Sequence, residues 1–174
     1  ENSIVRTKIL STIWNICGKS KINILDIGCG TAQMWKPFLE NMPNVHLYGF
    51  DPSKKSITIA NKNLKGLKAN ICHDSIASID NIFSEISNFD FIVSHSVLEH
   101  VYPRHLYFDI LRARLNKNGA ALISWGSDHF RQGLQTDLRN YLSRLLANLG
   151  VEKFYTHKVS DEWAKIEIFK ANLE

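Results

Sequence analysis

The sequence predicts an α/β domain with a largely parallel sheet covered by helices on both faces, and three observations carry that reading. Short apolar runs of strand length recur along the chain. Most are followed by a Gly or Asp turn, and the turns lead into stretches with helical periodicity. Two last apolar runs are separated only by Ser160, Asp161 and Glu162, too little chain for a crossover helix, which adds an antiparallel hairpin. A length of 174 residues with no low-complexity linker or internal repeat fits one domain over 1–174.

Taken in order, Ile4, Val5, Ile9, Ile13, Ile16 and Cys17 recur at helical spacing and predict an opening helix over about 4–17, ended by Gly18 and placed at an edge of the domain. Strands follow at 22–27, 45–50, 67–72, 89–94 and 120–125, each a run that needs cover on both faces. Between them the pattern predicts helices over 32–41, 53–64, 79–86 and 103–115, the last with Pro103 in its first turn, where a missing N–H does no harm. A longer helix over 132–149 stops at Gly150, and the hairpin strands occupy 151–159 and 163–171.

The bulk properties exclude several classes. A hydrophobic share of 44% with 22% charged residues is ordinary globular usage, neither disordered nor membrane-like. No run of 18 apolar residues exists, so no membrane insertion is expected. The net charge of +4 comes from scattered Lys and Arg, a solvated basic surface rather than a nucleic-acid footprint. Cys17, Cys29 and Cys72 are odd in number and form no C-x-x-C pair, which argues against disulfides and zinc and suits a reducing cytoplasm. The chain opens at Glu1 instead of Met, as a piece of a longer protein would.

The strongest motif is Ile24-Leu25-Asp26-Ile27-Gly28-Cys29-Gly30-Thr31-Ala32, an apolar strand entering a glycine turn and then a helix. Glycines allow positive φ and close approach of a ligand. A helix N-terminus directly after the turn would offer N–H groups to a carboxylate, while Asp26 is placed to anchor an ammonium. A dinucleotide fingerprint would have a third glycine where Gln33 stands, which disfavours a nicotinamide oxidoreductase. Asp51 ends the second strand ahead of Pro52, positioned for ribose hydroxyls. Asp74 and Ser75 follow the third strand, where they can meet an adenine edge. A single Asp at a strand end is as readily a turn or cap residue, but three at consecutive strand ends point to a ligand.

These segments resemble motif I and the following motifs of the class I S-adenosylmethionine-dependent methyltransferases. The run Phe89-Asp90-Phe91-Ile92-Val93-Ser94-His95-Ser96-Val97-Leu98-Glu99-His100-Val101 is similar to the fourth-strand motif of that family, and 115–120 resembles its turn into the fifth strand. The resemblance implies a Rossmann-like fold of seven strands with the last antiparallel. It also implies S-adenosylmethionine as cofactor, leaving as S-adenosylhomocysteine, over Asp26, Gly28, Cys29, Gly30, Asp51, Pro52, Asp74, Ser75, Ser94 and His95. The pattern is most similar to the branch acting on small molecules.

The activity expected is methyl transfer to a hydroxyl or amine of a small-molecule or glycan acceptor, with no metal. A hydroxyl acceptor benefits from a base worth about 10²–10⁴-fold. The His candidates are His95 and His100 after the fourth strand and His129 after the fifth, of which His129 and His100 are favoured on the acceptor side, with Asp128 as orienting partner of His129. Aromatic residues such as Trp35 and Trp125 are read as core. The segment 94–97 lacks the Asn-Pro-Pro-Tyr type of motif, which lowers the DNA amino-methyltransferase reading and leaves RNA methylation as a lesser alternative. The other alternative is a non-catalytic cofactor-binding or scaffold domain. Short connections leave no substrate insertion, so the acceptor side is expected to be open, suited to a large or carrier-bound substrate, or completed by a further domain or partner.

Overall fold

The computed structural model of the chain describes residues 2–17, 20–78, 81–101 and 103–124. Among these lie five strands, β1 (Ile22–Ile27), β2 (Val45–Asp51), β3 (Ala69–His73), β4 (Phe89–His95) and β5 (Leu115–Ser124). Four helices accompany them, α1 (Asn2–Cys17), α2 (Trp35–Asn41), α3 (Lys54–Asn63) and α4 (Arg104–Arg114), with 3₁₀ turns at Ile76–Ser78 and Leu98–His100. The strand order is β3-β2-β1-β4-β5 and every pairing is parallel. The chain therefore moves outward from β1 to β3 and returns to lay down β4 on the other side. That reversal opens a crevice beyond the carboxyl ends of β1 and β4.

Strand alternation divides the core in two. Leu25 and Ile27 of β1, with Phe50 and Ile92, pack on one face against Tyr107, Phe108 and Leu111 of α4. Ile24, Leu47, Phe91 and Val93 pack on the other against Ile9 and Ile13 of α1, Trp35 and Phe38 of α2, and Leu64 after α3. Helical cover on both faces is as the sequence predicts, and α1 adds its buried Ile9 and Ile13 to the cluster that holds Ile24, Phe91 and Val93.

Three expectations are corrected. The helix predicted to open at Ala32 opens at Trp35, because Ala32 takes φ +50° and closes a turn on the Cys29 carbonyl. Residues 81–86 form turns instead of continuing a helix, with Phe83 at φ +56°, a left-handed conformation that no helix interior accepts. The fifth strand begins at Leu115, so 115–119 is strand, not a turn. A bulge there passes from the Phe89–Leu115 pairing to the Phe91–Ala120 pairing, and the Asn116 amide donates to Asp90 Oδ1 at 2.7 Å. Gly119 is required in the bulge because a Cβ would lie 2.9 Å from the Asp90 carbonyl oxygen.

Within the described residues no helix is long and apolar enough to cross a membrane. The sixth and seventh strands expected at 151–159 and 163–171, the helix over 132–149 and residue 125 lie outside the described residues, and with them Asp128 and His129.

Candidate functional site

The sequence of β1 determines the first part of the site. Its alternation places Leu25 and Ile27 on one face and Ile24 and Asp26 on the other, so a carboxylate enters the apolar layer under α1 and α2. Asp26 is only 4% exposed, and Trp35 Nε1 donates to its Oδ2 at 2.6 Å. Burial pushes the Asp26 carboxyl up to about 7; the Trp35 hydrogen bond opposes this, the Asp51 carboxylate adds to it, and Arg6 opposes it. Near neutrality this group exchanges its proton, unlike an exposed aspartate.

The turn after β1 is held by β2. The N–H groups of Gly28 and Cys29 both donate to the Phe50 carbonyl, at 2.9 and 3.0 Å, and Gly30 N–H donates to Asp51 Oδ2 at 3.0 Å. Gly28 sits at φ +70° and Gly30 at φ +55°. The two glycines serve different ends. A Cβ on Gly28 would run into the Val97 side chain, so that glycine is required by packing, whereas nothing lies within 4 Å of a Cβ on Gly30. Gly30 therefore borders open space at the mouth of the crevice, where a ligand can approach the backbone. Cys29 turns inward over Gly49, and burial, reinforced by Asp26 and Asp51, pushes its thiol pKa far up; it remains a neutral thiol, not a nucleophile.

The helix N-terminus that the sequence placed beside the turn is not there. With α2 opening at Trp35 and the N–H groups of Gly28, Cys29, Gly30 and Ala32 bonded within the protein, the turn is organised by its own strand partners.

Asp51 is the hub of the polar end of the sheet. Its Oδ2 receives Gly30 N–H, its Oδ1 receives Ser53 N–H at 2.8 Å, and its carbonyl receives Asp74 N–H at 3.3 Å. Ser53 in turn caps α3 by accepting from Ser56 N–H. An ionised carboxylate offers about four acceptor sites, so two backbone donors orient Asp51 and leave capacity for ligand hydroxyls. Asp74 Oδ1 accepts from Ser75 N–H at 2.8 Å, and His73 Nε2 pairs with the Pro52 carbonyl at 3.0 Å. The carboxyl ends of β1, β2 and β3 are thus joined in one hydrogen-bonded rim.

Across the crevice, β4 ends at His95, whose Nδ1 pairs with Ser124 Oγ of β5 at 2.6 Å. Ser96 follows at φ +57°, a strained conformation for a residue with a Cβ, held by its N–H donating to the Ser124 carbonyl. Ser94 is fully buried between β1 and β5. His100 is exposed on the 3₁₀ turn after β4.

Sequence reasoning did not find Trp35, Val97 or Ser124 as site residues. The signal for Trp35 is weak but physical: a core indole needs an acceptor, and Asp26 is a carboxylate on the same apolar layer. Val97 and Ser124 carry no signal, because their contacts depend on how β4 and β5 lie beside β1.

A family model described as a methyltransferase domain matches residues 25–121. An uncharacterised protein of Rickettsia prowazekii is 35% identical over 125 residues, covering 68% of this chain and 22% of that protein. The ubiquinone biosynthesis O-methyltransferase of Bradyrhizobium diazoefficiens is 26% identical over 146 residues, covering 83% of this chain and 52% of that protein. The chain spans about a fifth to about a half of the length of these curated relatives. Among solved structures, the plantazolicin methyltransferase BpumL in complex with SAH is similar with a TM-score of 0.54 and 26% identity, covering 67% of this chain and 43% of that one.

Proposed function

Since the chain belongs to the methyltransferase-domain family, the class I S-adenosylmethionine-dependent enzymes, we propose that its crevice carries methyl transfer from S-adenosylmethionine to a hydroxyl or amine of a small-molecule or glycan acceptor. The observation that carries this reading is the rim in which Asp51 is aimed by Gly30 and Ser53 beside the open space at Gly30.

In this proposal Asp26 takes the ammonium of the methionine portion and the backbone of Gly28, Cys29 and Gly30 lies under it. Asp51, with Pro52 behind it, takes the ribose hydroxyls, and Asp74 with Ser75 takes the adenine edge. Ser94 and His95 border the methyl from β4, Ser94 through its backbone. The sulfonium methyl is already activated, so holding an acceptor in line with it and excluding water supplies much of the rate. The methyl carbon leaves sulfur for the acceptor oxygen or nitrogen, and the sulfonium becomes the thioether of S-adenosylhomocysteine. The acceptor's proton passes to a base or to water. His100 and His129, the latter with Asp128, are the groups proposed for that proton and for the acceptor side.

The chain is proposed to act as one domain over 1–174 in a reducing, cytoplasmic setting, the setting that three cysteines without C-x-x-C spacing suit. The partial span of the curated relatives supports a further domain or partner completing the acceptor side. Calorimetric titration with S-adenosylmethionine, S-adenosylhomocysteine and NADH tests the cofactor assignment, with binding of the first two and not the third as the expected result. Turnover on a panel of hydroxyl and amine acceptors then separates an enzyme from a binding domain.

A further inference from the structure

We propose that Trp35 is a positioning residue for the cofactor: its indole N–H holds the Asp26 carboxylate for the ammonium of the methionine portion, so that binding this portion releases a proton from Asp26. The inference rests on the crevice being an S-adenosylmethionine site.

Neither partner is free to turn. Trp35 is fully buried, its ring meets Phe38 edge-on with centroids 5.8 Å apart, and it packs in one cluster with Ile9 and Ile13 of α1. The 2.6 Å bond from its Nε1 fixes one oxygen of Asp26, and among the described residues this is the donor found on that carboxylate. An ionised carboxylate has about four acceptor sites, so a buried one with a single donor is poorly satisfied without a ligand. A cation brought to the end of β1 supplies what is missing, two residues before the turn whose Gly30 borders open space.

The groups around Asp26 make this exchange proton-linked. Its neighbours in register, Gly49 of β2 and Val93 of β4, do not titrate. The charged groups acting on it are Asp51 at the end of β2, which opposes ionisation, and Arg6 of α1, which favours it; the nearby Cys29 stays a neutral thiol. Burial dominates these and brings the carboxyl to about 7. At pH 6.5 most Asp26 side chains in the empty protein are therefore protonated. A ligand ammonium next to its own carboxylate is charged there and draws the Asp26 carboxyl into its ionised form.

The test uses S-adenosylhomocysteine and 5′-methylthioadenosine, which share the adenosine thioether and differ in the amino-acid portion. Calorimetry at pH 6.5 in buffers of different ionisation enthalpy counts protons. The expected result is release of about three quarters of a proton with S-adenosylhomocysteine and none with 5′-methylthioadenosine. Trp35→Phe keeps an aromatic ring, smaller than the indole, and loses the donor, so the pH at which S-adenosylhomocysteine binding reaches half its limit moves up by about one unit. Affinity at pH 7 falls about fivefold, with 5′-methylthioadenosine unaffected. Binding of both ligands without proton release overturns this inference alone. So does an equal loss for both ligands at every pH in Trp35→Phe, which marks a packing effect. Failure of both to bind the wild-type protein removes the cofactor site and this inference with it. If Trp35→Phe does not fold, the wild-type proton count decides.

Discussion

Replacing Asp26 with Asn keeps the shape of the side chain and an oxygen for the Trp35 N–H, but removes a carboxyl that is 4% exposed. In the ligand-free protein burial raises that carboxyl from its ordinary 3.8 to about 7, against the opposing Trp35 hydrogen bond. Between those values the folded protein binds more protons than the unfolded chain. The contribution of the neutral form is therefore complete below pH 3.8 and is lost as the pH rises to about 7. At about 1.36 kcal/mol per unit, ionisation costs the folded state about 4 kcal/mol at pH 8, of which about 2–3 kcal/mol is lost between pH 5 and pH 8. The Asn variant has no such slope. Urea unfolding of both proteins at pH 5, 6, 7 and 8 should show the stability of Asp26→Asn relative to wild type rising by about 2–3 kcal/mol across that range. A difference that stays level, within about 0.5 kcal/mol, would refute the claim that burial controls this carboxyl.

Three other outcomes follow from the same geometry. Gly28→Ala should cost about 1–3 kcal/mol in urea unfolding, because its Cβ meets Val97 and its φ of +70° is unfavourable; adding Val97→Ala should return the clash portion and leave the φ portion. Asp51→Asn should fold and lose about tenfold or more in S-adenosylhomocysteine affinity by calorimetry, since an amide can accept at only one of the two positions now serving Gly30 and Ser53; unchanged affinity would remove Asp51 from the cofactor site. For a hydroxyl acceptor, His129→Ala should slow single-turnover methyl transfer by about 10²-fold or more, with recovery at higher pH and cofactor affinity intact. A wild-type rate in that variant would leave the proton to His100 or to solvent.

Where local signals agreed with one another, the reading of the sequence held. The run from Ile22 to Ile27 lies between Lys21 and Gly28, and β1 has those bounds. The helix predicted over 53–64 forms as α3, with Ser53 as its N-cap accepting from Ser56 N–H. The candidate residues Asp26, Gly28, Gly30, Asp51 and Asp74 do collect at the carboxyl ends of β1, β2 and β3, because parallel strands joined by crossovers bring all their carboxyl ends to one edge. Where a segment's conformation depends on a distant partner, the reading failed. The stretch 81–86 has helical composition but turns at Phe83, and 115–119 looks like a turn but is drawn into β5 by Asp90.

The sequence by itself determined the alternation of strands and helices, the glycine turn after β1 and the carboxylates at three strand ends. These are properties of neighbouring residues: period, branching, caps and the conformations open to glycine. Only the tertiary structure decided that Gly28 makes room for Val97 while Gly30 faces open space, and that Asp26 is buried under Trp35 and not exposed to solvent. Such facts depend on which strands lie side by side and how deeply packing removes water from a charge. A carboxylate's protonation near neutrality is therefore a property of the assembled layers, since the same Asp in the unfolded chain would ionise near 3.8.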